Sequence, residues 1–462
     1  MFSSTVYQNR RKNLRAELTR GLALFLGNQE VPFNYPANTY SFRQDSNFSY
    51  FFGLDHPALA GIVDLDEGRD YLFGNDVDID DIIWMGKQPT MKEQAACVGI
   101  EHTAPLKNLN EMIDRALKSG REIHFAPAYR GETILWLSDL LKIPHLDLPK
   151  HTSESLIKAI VKLRMKKEQG EIEEIEKAIE TAWLMHTTAM KMAHPGRVES
   201  EIAGVIEGIA LTHCGPVSFP VILSINGQIL HNHLHGNVLT EGRMMVVDAG
   251  CETALHYSSD ITRTVPVGGK FNDRQRGIYE VVLNANLKAI EAVGPGIPFR
   301  DIHLLAATEI AKGLTALGIM KGNPEEAARK GAHTLFFPHG LGHPMGLDVH
   351  DLEGMGENFV GYDEETIRSK EFGFAYLRFG RKLQEGFVMT IEPGIYFIPD
   401  LIDIWEKENK LAEFINYDVV DSYRDFGGIR IEDNVLVTAD RHRVLGKPIP
   451  KTVAEVEKTM NN

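Results

Sequence analysis

Two stretches of this chain, a hundred residues apart, share one order: a helix, a Pro-Gly stop, a second helix and then strand-rich sequence. The first copy stops at His194-Pro195-Gly196, restarts near Glu199 and places Ile202 seven residues after the proline. The second stops at Gly294-Pro295-Gly296, restarts near Arg300 and places Ile302 seven residues after its proline. Strand-rich sequence follows at 219–267 and again at 336–397 with 427–438. A Pro-Gly stop alone is a common helix terminator. The matching order around it predicts a duplicated α/β unit, a pseudo-twofold fold with its site between the halves, where both sheets contribute residues.

A chain of 462 residues should form two or three domains. Residues 1–160 alternate short apolar runs with helical stretches. Ala60-Gly-Ile-Val-Asp-Leu and Tyr71-Leu-Phe-Gly read as a hairpin turning at Asp66-Glu-Gly-Arg, and Glu111 to Leu117 and Thr133 to Leu141 read as helices. The charged stretch Lys162-Leu-Arg-Met-Lys-Lys-Glu-Gln-Gly-Glu then opens a long helix with apolar positions at Ile172, Ile175, Ile179 and Ala182. The expected boundary is near residue 160, giving a smaller α/β domain over 1–160 and a second domain over 161–462.

The net charge of −15 argues against a general nucleic-acid binder, which needs a basic face. Cys97, Cys214 and Cys251 are too few and too scattered for a disulfide framework or a cysteine zinc cluster. No apolar run is long enough for a membrane span, and Met1 to Arg15 is polar and basic, so the expectation is a cytoplasmic protein that binds no membrane.

Chemistry concentrates in the second domain. Pro338 to Asp351 reads Pro-His-Gly-Leu-Gly-His-Pro-Met-Gly-Leu-Asp-Val-His-Asp, with no apolar stripe at helical or strand period. Its glycines let backbone come close to something, and neutral imidazoles coordinate metals or move protons. Around it, Met244-Met-Val-Val-Asp ends an apolar strand on Asp248, and Ser259-Asp-Ile-Thr-Arg returns with Asp260. Phe387-Val-Met-Thr-Ile-Glu ends another on Glu392. Gly428-Ile-Arg-Ile-Glu-Asp-Asn-Val-Leu-Val puts Arg430 and Glu432 on one strand face, with Ile429 and Ile431 on the other. Carboxylates gathered this way raise each other's pKa unless cations neutralise them. Four of them with one imidazole would balance two divalent ions. Oxygen-rich ligation favours manganese, with zinc, cobalt or iron as alternatives, and a dinuclear site points to hydrolysis.

The words around these acids (Asp-Ala-Gly, Ser-Asp-Ile-Thr-Arg, His-Gly-Leu-Gly-His, Glu-Pro-Gly-Ile-Tyr, Gly-Gly-Ile-Arg-Ile-Glu-Asp) resemble the signatures of the pita-bread metallopeptidases. The resemblance is to their proline-specific branch, prolidase and aminopeptidase P. Ser41-Phe-Arg-Gln-Asp-Ser-Asn-Phe is similar to that branch's N-terminal domain, and Trp84-Met-Gly-Lys and Pro450-Lys-Thr-Val-Ala-Glu-Val-Glu look like the larger prolidases. The resemblance implies an α/β (α+β) protein whose C-terminal pita-bread domain follows the smaller α/β domain. It implies metal ligation by Asp248, Asp260, His343, Glu392 and Glu432, with Asp260 and Glu432 bridging. It gives His231 a place near the scissile carbonyl, His339 and His350 supporting and substrate-binding places, Arg430 a place bracing that network, and Glu392 a share in proton transfer. A homodimer or dimer of dimers acting on proline-containing di- or oligopeptides is also implied.

Within that branch, Arg378 matches the arginine that prolidases present to a dipeptide's C-terminal carboxylate, so an Xaa-Pro dipeptidase is the first expectation. Aminopeptidase P, which shortens longer Xaa-Pro peptides, is the alternative. A non-catalytic pita-bread peptide-binding module is the rival from another class. His231-Asn-His-Leu-His imitates the opening of an amidohydrolase barrel, but no eight βα repeats follow it. His339 and His343 imitate a helical zinc motif, which Gly340, Gly342 and Pro344 oppose. Asp248 and Asp260 are twelve residues apart where the family commonly has eleven, so the intervening turn must absorb a residue or the strands must slip register. Ser218 to Gly227 is short and glycine-poor for the segment before His231, and Leu401 to Ile415 is an added helical piece.

Overall fold

The computed structural model describes residues 1–462, which divide into two compact units: Met1–Arg164 with Leu352–Phe359, and Met165–Asp351 with Val360–Asn462. No helix is long and apolar enough to cross a membrane.

The first unit is built on a five-stranded mixed sheet. Its strands lie in the order His102–Ala104, Asp70–Phe73, Ala60–Asp64, Leu22–Leu26, Ile123–His124. The two expected apolar runs at Ala60 and Tyr71 form its central antiparallel pair. Every residue of Leu22–Leu26 is buried, as a strand covered on both faces should be. Leu22, Leu24, Leu26 and Ile62 pack there with Leu109 and Ile113 of helix Asn108–Lys118 and Leu137 and Leu140 of helix Gly131–Leu141.

The second unit carries the duplication. Helices Gln169–Met192 and Glu199–His213 precede the antiparallel strands Ile222–Ser224, Met244–Ala249 and Ile261–Pro266. Helices Asp273–Ala292 and Phe299–Ala316 precede strands Val388–Ile391, Gly394–Tyr396, Gly428–Arg430 and Asp433–Val437. Both Pro-Gly stops fall where expected, three to four residues beyond a helix end.

Two sequence expectations change. The charged stretch does not open the long helix. Glu154–Met165 ends first, and Gln169–Met192 begins after Glu168, whose N–H donates to Glu171 Oε2 at 2.8 Å. The continuous strand expected at 428–437 is divided between two sheets. Register nevertheless runs through the division: Ile391 pairs with Asp433 and Gly394 with Arg430, which leaves Glu392 opposite Glu432 and Pro393 opposite Ile431. Pro393 has no N–H to give, so the ladder fails at that rung; Ile431 N reaches Pro393 O at 3.4 Å.

Candidate metal centre

Asp248 and Asp260 come together because their hairpin keeps regular register. Thr262 pairs with Asp248, Ile261 with Ala249, and Glu252 with Ser258, which puts Asp260 opposite Gly250. Residues 248, 250 and 252 share one face of their strand, so Asp248 and Asp260 are diagonal neighbours on it. The additional residue is absorbed in the turn Thr253–Tyr257, where His256 takes a left-handed φ of 65° and its Nδ1 meets Glu252 Oε2 at 2.9 Å. The ligand register survives the insertion.

His343 reaches the same place from an irregular segment. No helix covers residues 337–347, so the helical zinc-motif reading of His339 and His343 fails. Gly342 beside it is required by packing against the strand that leads into Glu392: a Cβ there would lie 2.0 Å from Thr390 O. His343 N donates to Thr390 Oγ1 at 3.0 Å, and Thr390 N donates to His343 O at 2.9 Å. The ring is fixed as well. Nδ1 faces the Pro344 carbonyl at 3.1 Å and must carry the proton there, which turns the Nε2 lone pair towards Asp260 Oδ2 at 3.4 Å and Glu392 Oε1 at 3.6 Å.

Acceptors thus face acceptors. Donor atoms of Asp260, His343 and Glu432 lie within 4.8 Å of one another, all buried. Arg430 offsets one charge, with Nη2 on Asp248 Oδ2 at 2.6 Å. Asp248 Oδ1 and Glu432 Oε1 are buried with no hydrogen-bond partner. Desolvation, then the charge of Asp248, holds Asp260 well above the usual carboxylate range. Desolvation with Asp260 and Glu392 does the same to Glu432. Burial pushes Glu392 up to about 7 against the pull of His343 and Arg430. Four carboxylates, two of them with an orphaned oxygen, and an imidazole lone pair fit divalent cations, which would satisfy all of them together.

The other expected residues surround this cluster. Arg430 also donates from Nη1 to Tyr396 Oη at 2.8 Å and from Nε to Thr262 Oγ1 at 3.2 Å. His339 holds Gly340 O on Nδ1 at 2.8 Å, so its Nε2 accepts from the Tyr396 hydroxyl at 2.9 Å. Desolvation and the Arg430 charge push His339 down to about 3, so it stays neutral. Both of its nitrogens are thus engaged, Nδ1 by the Gly340 carbonyl and Nε2 by Tyr396. The His350 ring packs edge-on against His343 with centroids 4.3 Å apart. His231 is exposed on the turn before the buried Asn232, where partial desolvation, then the Arg430 charge, lowers its pKa. Arg378 is half-buried, and its charge helps to lower the pKa of His343 after desolvation.

Sequence reasoning missed four contributors. Tyr396 links Arg430 to His339. Thr262 holds Glu432 Oε2 at 2.7 Å, and Thr390 braces His343. Asn434 clamps the Asp260 backbone through Asn434 Nδ2 to Asp260 O at 2.6 Å. Tyr396 was within reach, because strand alternation puts it on the face of Glu392 and Gly394. The threonines read as ordinary strand formers.

Comparison with known proteins agrees with this geometry. The signature of metallopeptidase family M24 matches residues 173–439, and that of the aminopeptidase P N-terminal domain matches residues 7–124. A probable Xaa-Pro aminopeptidase of Botryotinia fuckeliana is 31% identical over 426 residues, 91% of this chain and 88% of that protein. One of Aspergillus clavatus is 32% identical over 428 residues, 90% and 88% of the two chains. Aminopeptidase P from E. coli in its low-pH form superposes with a TM-score of 0.82 at 28% identity, covering 100% of this chain and 99% of the other. Proline aminopeptidase P II from Yersinia pestis superposes at 0.81 and 28% identity, covering 100% of both. The fold is therefore a pita-bread catalytic domain behind an aminopeptidase P-type N-terminal domain, and the chain belongs to metallopeptidase family M24, in its proline-specific branch.

Proposed function

We propose that the protein is an Xaa-Pro aminopeptidase, releasing the first residue from peptides with proline in second place. The single structural observation behind hydrolysis is the His343 Nε2 lone pair turned into a cluster of buried carboxylates. The choice of peptide length follows from the relatives, which are named Xaa-Pro aminopeptidases. It reverses the order of preference drawn from Arg378 alone. The favoured ion is manganese, because four of the five donor groups offer oxygen.

When bound, divalent ions supply Lewis acidity and lower the pKa of water. Around them the chain's own side chains divide the remaining work. Asp248, Asp260, His343, Glu392 and Glu432 would hold the ions. Glu392, whose Oε1 lies 3.6 Å from His343 Nε2, would take a proton from the attacking water and pass it to the proline nitrogen. His231 is a neutral donor at the exposed rim, suited to the oxygen of the scissile carbonyl. Arg430 keeps Asp248 and Tyr396 in place.

One observation favours the dipeptidase reading: the half-buried Arg378 carries its charge near enough to His343 to influence it. Hydrolysis of Ala-Pro and of a proline-second tripeptide by the manganese-loaded protein and by Arg378→Met separates the two. The aminopeptidase reading expects the tripeptide to be preferred and little affected by Arg378→Met. Preference for Ala-Pro, lost by tenfold to a hundredfold in Arg378→Met, would replace it with the dipeptidase; that loss corresponds to a charged hydrogen bond of roughly 1.5–3 kcal/mol.

A further inference from the structure

We propose that Asn286 and His186, at equivalent places in the two repeats, are positioning residues that each hold the backbone of one ligand pair. They are a hundred residues apart, the same offset as Pro195 to Pro295 and Ile202 to Ile302. Each is a buried polar residue on the long helix that opens its repeat, Gln169–Met192 for His186 and Asp273–Ala292 for Asn286.

Asn286 sits where the second ladder fails. Its Nδ2 donates to Ile391 O at 3.0 Å and to Ile431 O at 3.2 Å, the carbonyls immediately before Glu392 and Glu432. Pro393 opposite Ile431 cannot close that rung, and the amide, with two N–H groups, ties both strands at the gap. Its orientation is determined by the partners. Lys451 Nζ, a pure donor, reaches Asn286 Oδ1 at 2.9 Å, while the two carbonyls can only accept. Lys451 is held in turn by Asp433 Oδ2 at 2.6 Å.

His186 performs the same task on an intact ladder. Its Nε2 lies 3.0 Å from Ala249 O, the carbonyl after Asp248, and Ala249 pairs with Ile261, the residue after Asp260. One donor suffices because this hairpin has no proline at its ligand rung. The difference in residue type thus follows the difference in backbone: two N–H groups where the ladder is broken, one where it is whole. Partners behind metal ligands typically change metal affinity 10- to 100-fold when removed.

The test rests on the metal-centre reading. Parent, Asn286→Leu, His186→Leu and His186→Gln are stripped of metal, then titrated with Mn2+ by calorimetry and with Co2+ by visible absorption. Asn286→Leu keeps the volume and removes both donors. It should lose about 10- to 100-fold in Mn2+ affinity and change the Co2+ band, with kcat lowered and KM for peptide near parental. His186→Leu should behave alike, while His186→Gln, whose amide reaches the place of Nε2, should stay near parental. Parental Mn2+ affinity and Co2+ spectrum in Asn286→Leu overturn the proposal, whatever its melting temperature. If Asn286→Leu does not fold, equal metal binding by His186→Leu and His186→Gln overturns it. A parent that takes up no metal overturns the metal centre instead.

Discussion

Glu392 and Glu432 stand opposite each other across one antiparallel register, two like-charged side chains on a rung where strands normally place complementary ones. Like charges directly opposite destabilise a sheet. On the proposed reading the pair is tolerable because cations held between the two carboxylates would end the repulsion.

Metal content and intrinsic stability should therefore move in opposite directions. Glu432→Gln removes a charge from the cluster and leaves an oxygen for Thr262. The metal-free variant should melt above the metal-free parent, by roughly 1–2 °C for each kcal/mol of relieved repulsion in a chain of this size, yet gain little stability from Mn2+ and lose nearly all hydrolysis. Calorimetric melting with and without Mn2+ checks this. A variant that melts below the parent when metal-free and still responds fully to Mn2+ counts against the clustered-charge account.

Gly342 should tolerate nothing larger. A Cβ 2.0 Å from Thr390 O must push apart the two segments that carry His343 and Glu392. Gly342→Ala is expected to cost roughly 1–3 kcal/mol, the usual range for overpacking, and to weaken Mn2+ binding. Gly354→Ala, where a Cβ meets nothing within 4 Å, is the control. Equal behaviour of the two variants would show that the approach relaxes without consequence.

His231 should matter to turnover and not to ion uptake. Exposed, and lowered in pKa by desolvation and the Arg430 charge, it is a neutral donor and no part of the carboxylate cluster. His231→Ala should lower kcat by roughly 10²–10³, the loss seen on removing one oxyanion donor, at unchanged metal stoichiometry. Loss of an ion with retained turnover per remaining ion would make His231 a ligand.

Stability towards acid should depend on a second pair of histidines. His303 and His333 are buried among Phe337 and Phe374, with ring centroids 6.1 Å apart. Burial lowers His303 to about 4 and, with the neighbouring His303, His333 to about 3, from 6.5. In that window the unfolded chain binds protons that the folded one refuses, so stability falls as pH drops below about 6.5 and continues to fall towards the folded values. Between pH 8 and pH 5 the loss is roughly 2 kcal/mol per histidine. Metal-free His303→Leu and His333→Leu should each show a shallower fall in melting temperature over that range than the parent. Identical slopes would mean that neither ring is held neutral by burial.

The acids and the duplication were legible because each left a local signal: a carboxylate ending an apolar strand, and a repeated helix stop. The turn between Asp248 and Asp260 was legible only as a choice, since spacing cannot tell an absorbed residue from a slipped register; the regular pairing of Thr262 with Asp248 and Glu252 with Ser258 decides it. The broken strand at 428–437 could not be seen in its own residues. Its cause, Pro393, belongs to the partner strand thirty-eight residues earlier than Ile431. Tyr396, Thr262 and Asn286 act through contacts as distant as Thr262 to Glu432, 170 residues along the chain, and nothing in their immediate neighbours marks them.

The bond from Arg430 to Asp248 closes a loop of 182 residues, and Lys167 meets Asp351 at 2.8 Å across 184. Contacts of such span form late in folding, because the chain entropy lost in closing them is recovered only once the intervening structure exists. A nascent chain synthesised as far as the first hairpin would carry two of the five proposed ligands and no competent centre. Ion capture then becomes the final act of maturation, and premature cleavage of peptides by a half-made chain is excluded by topology alone.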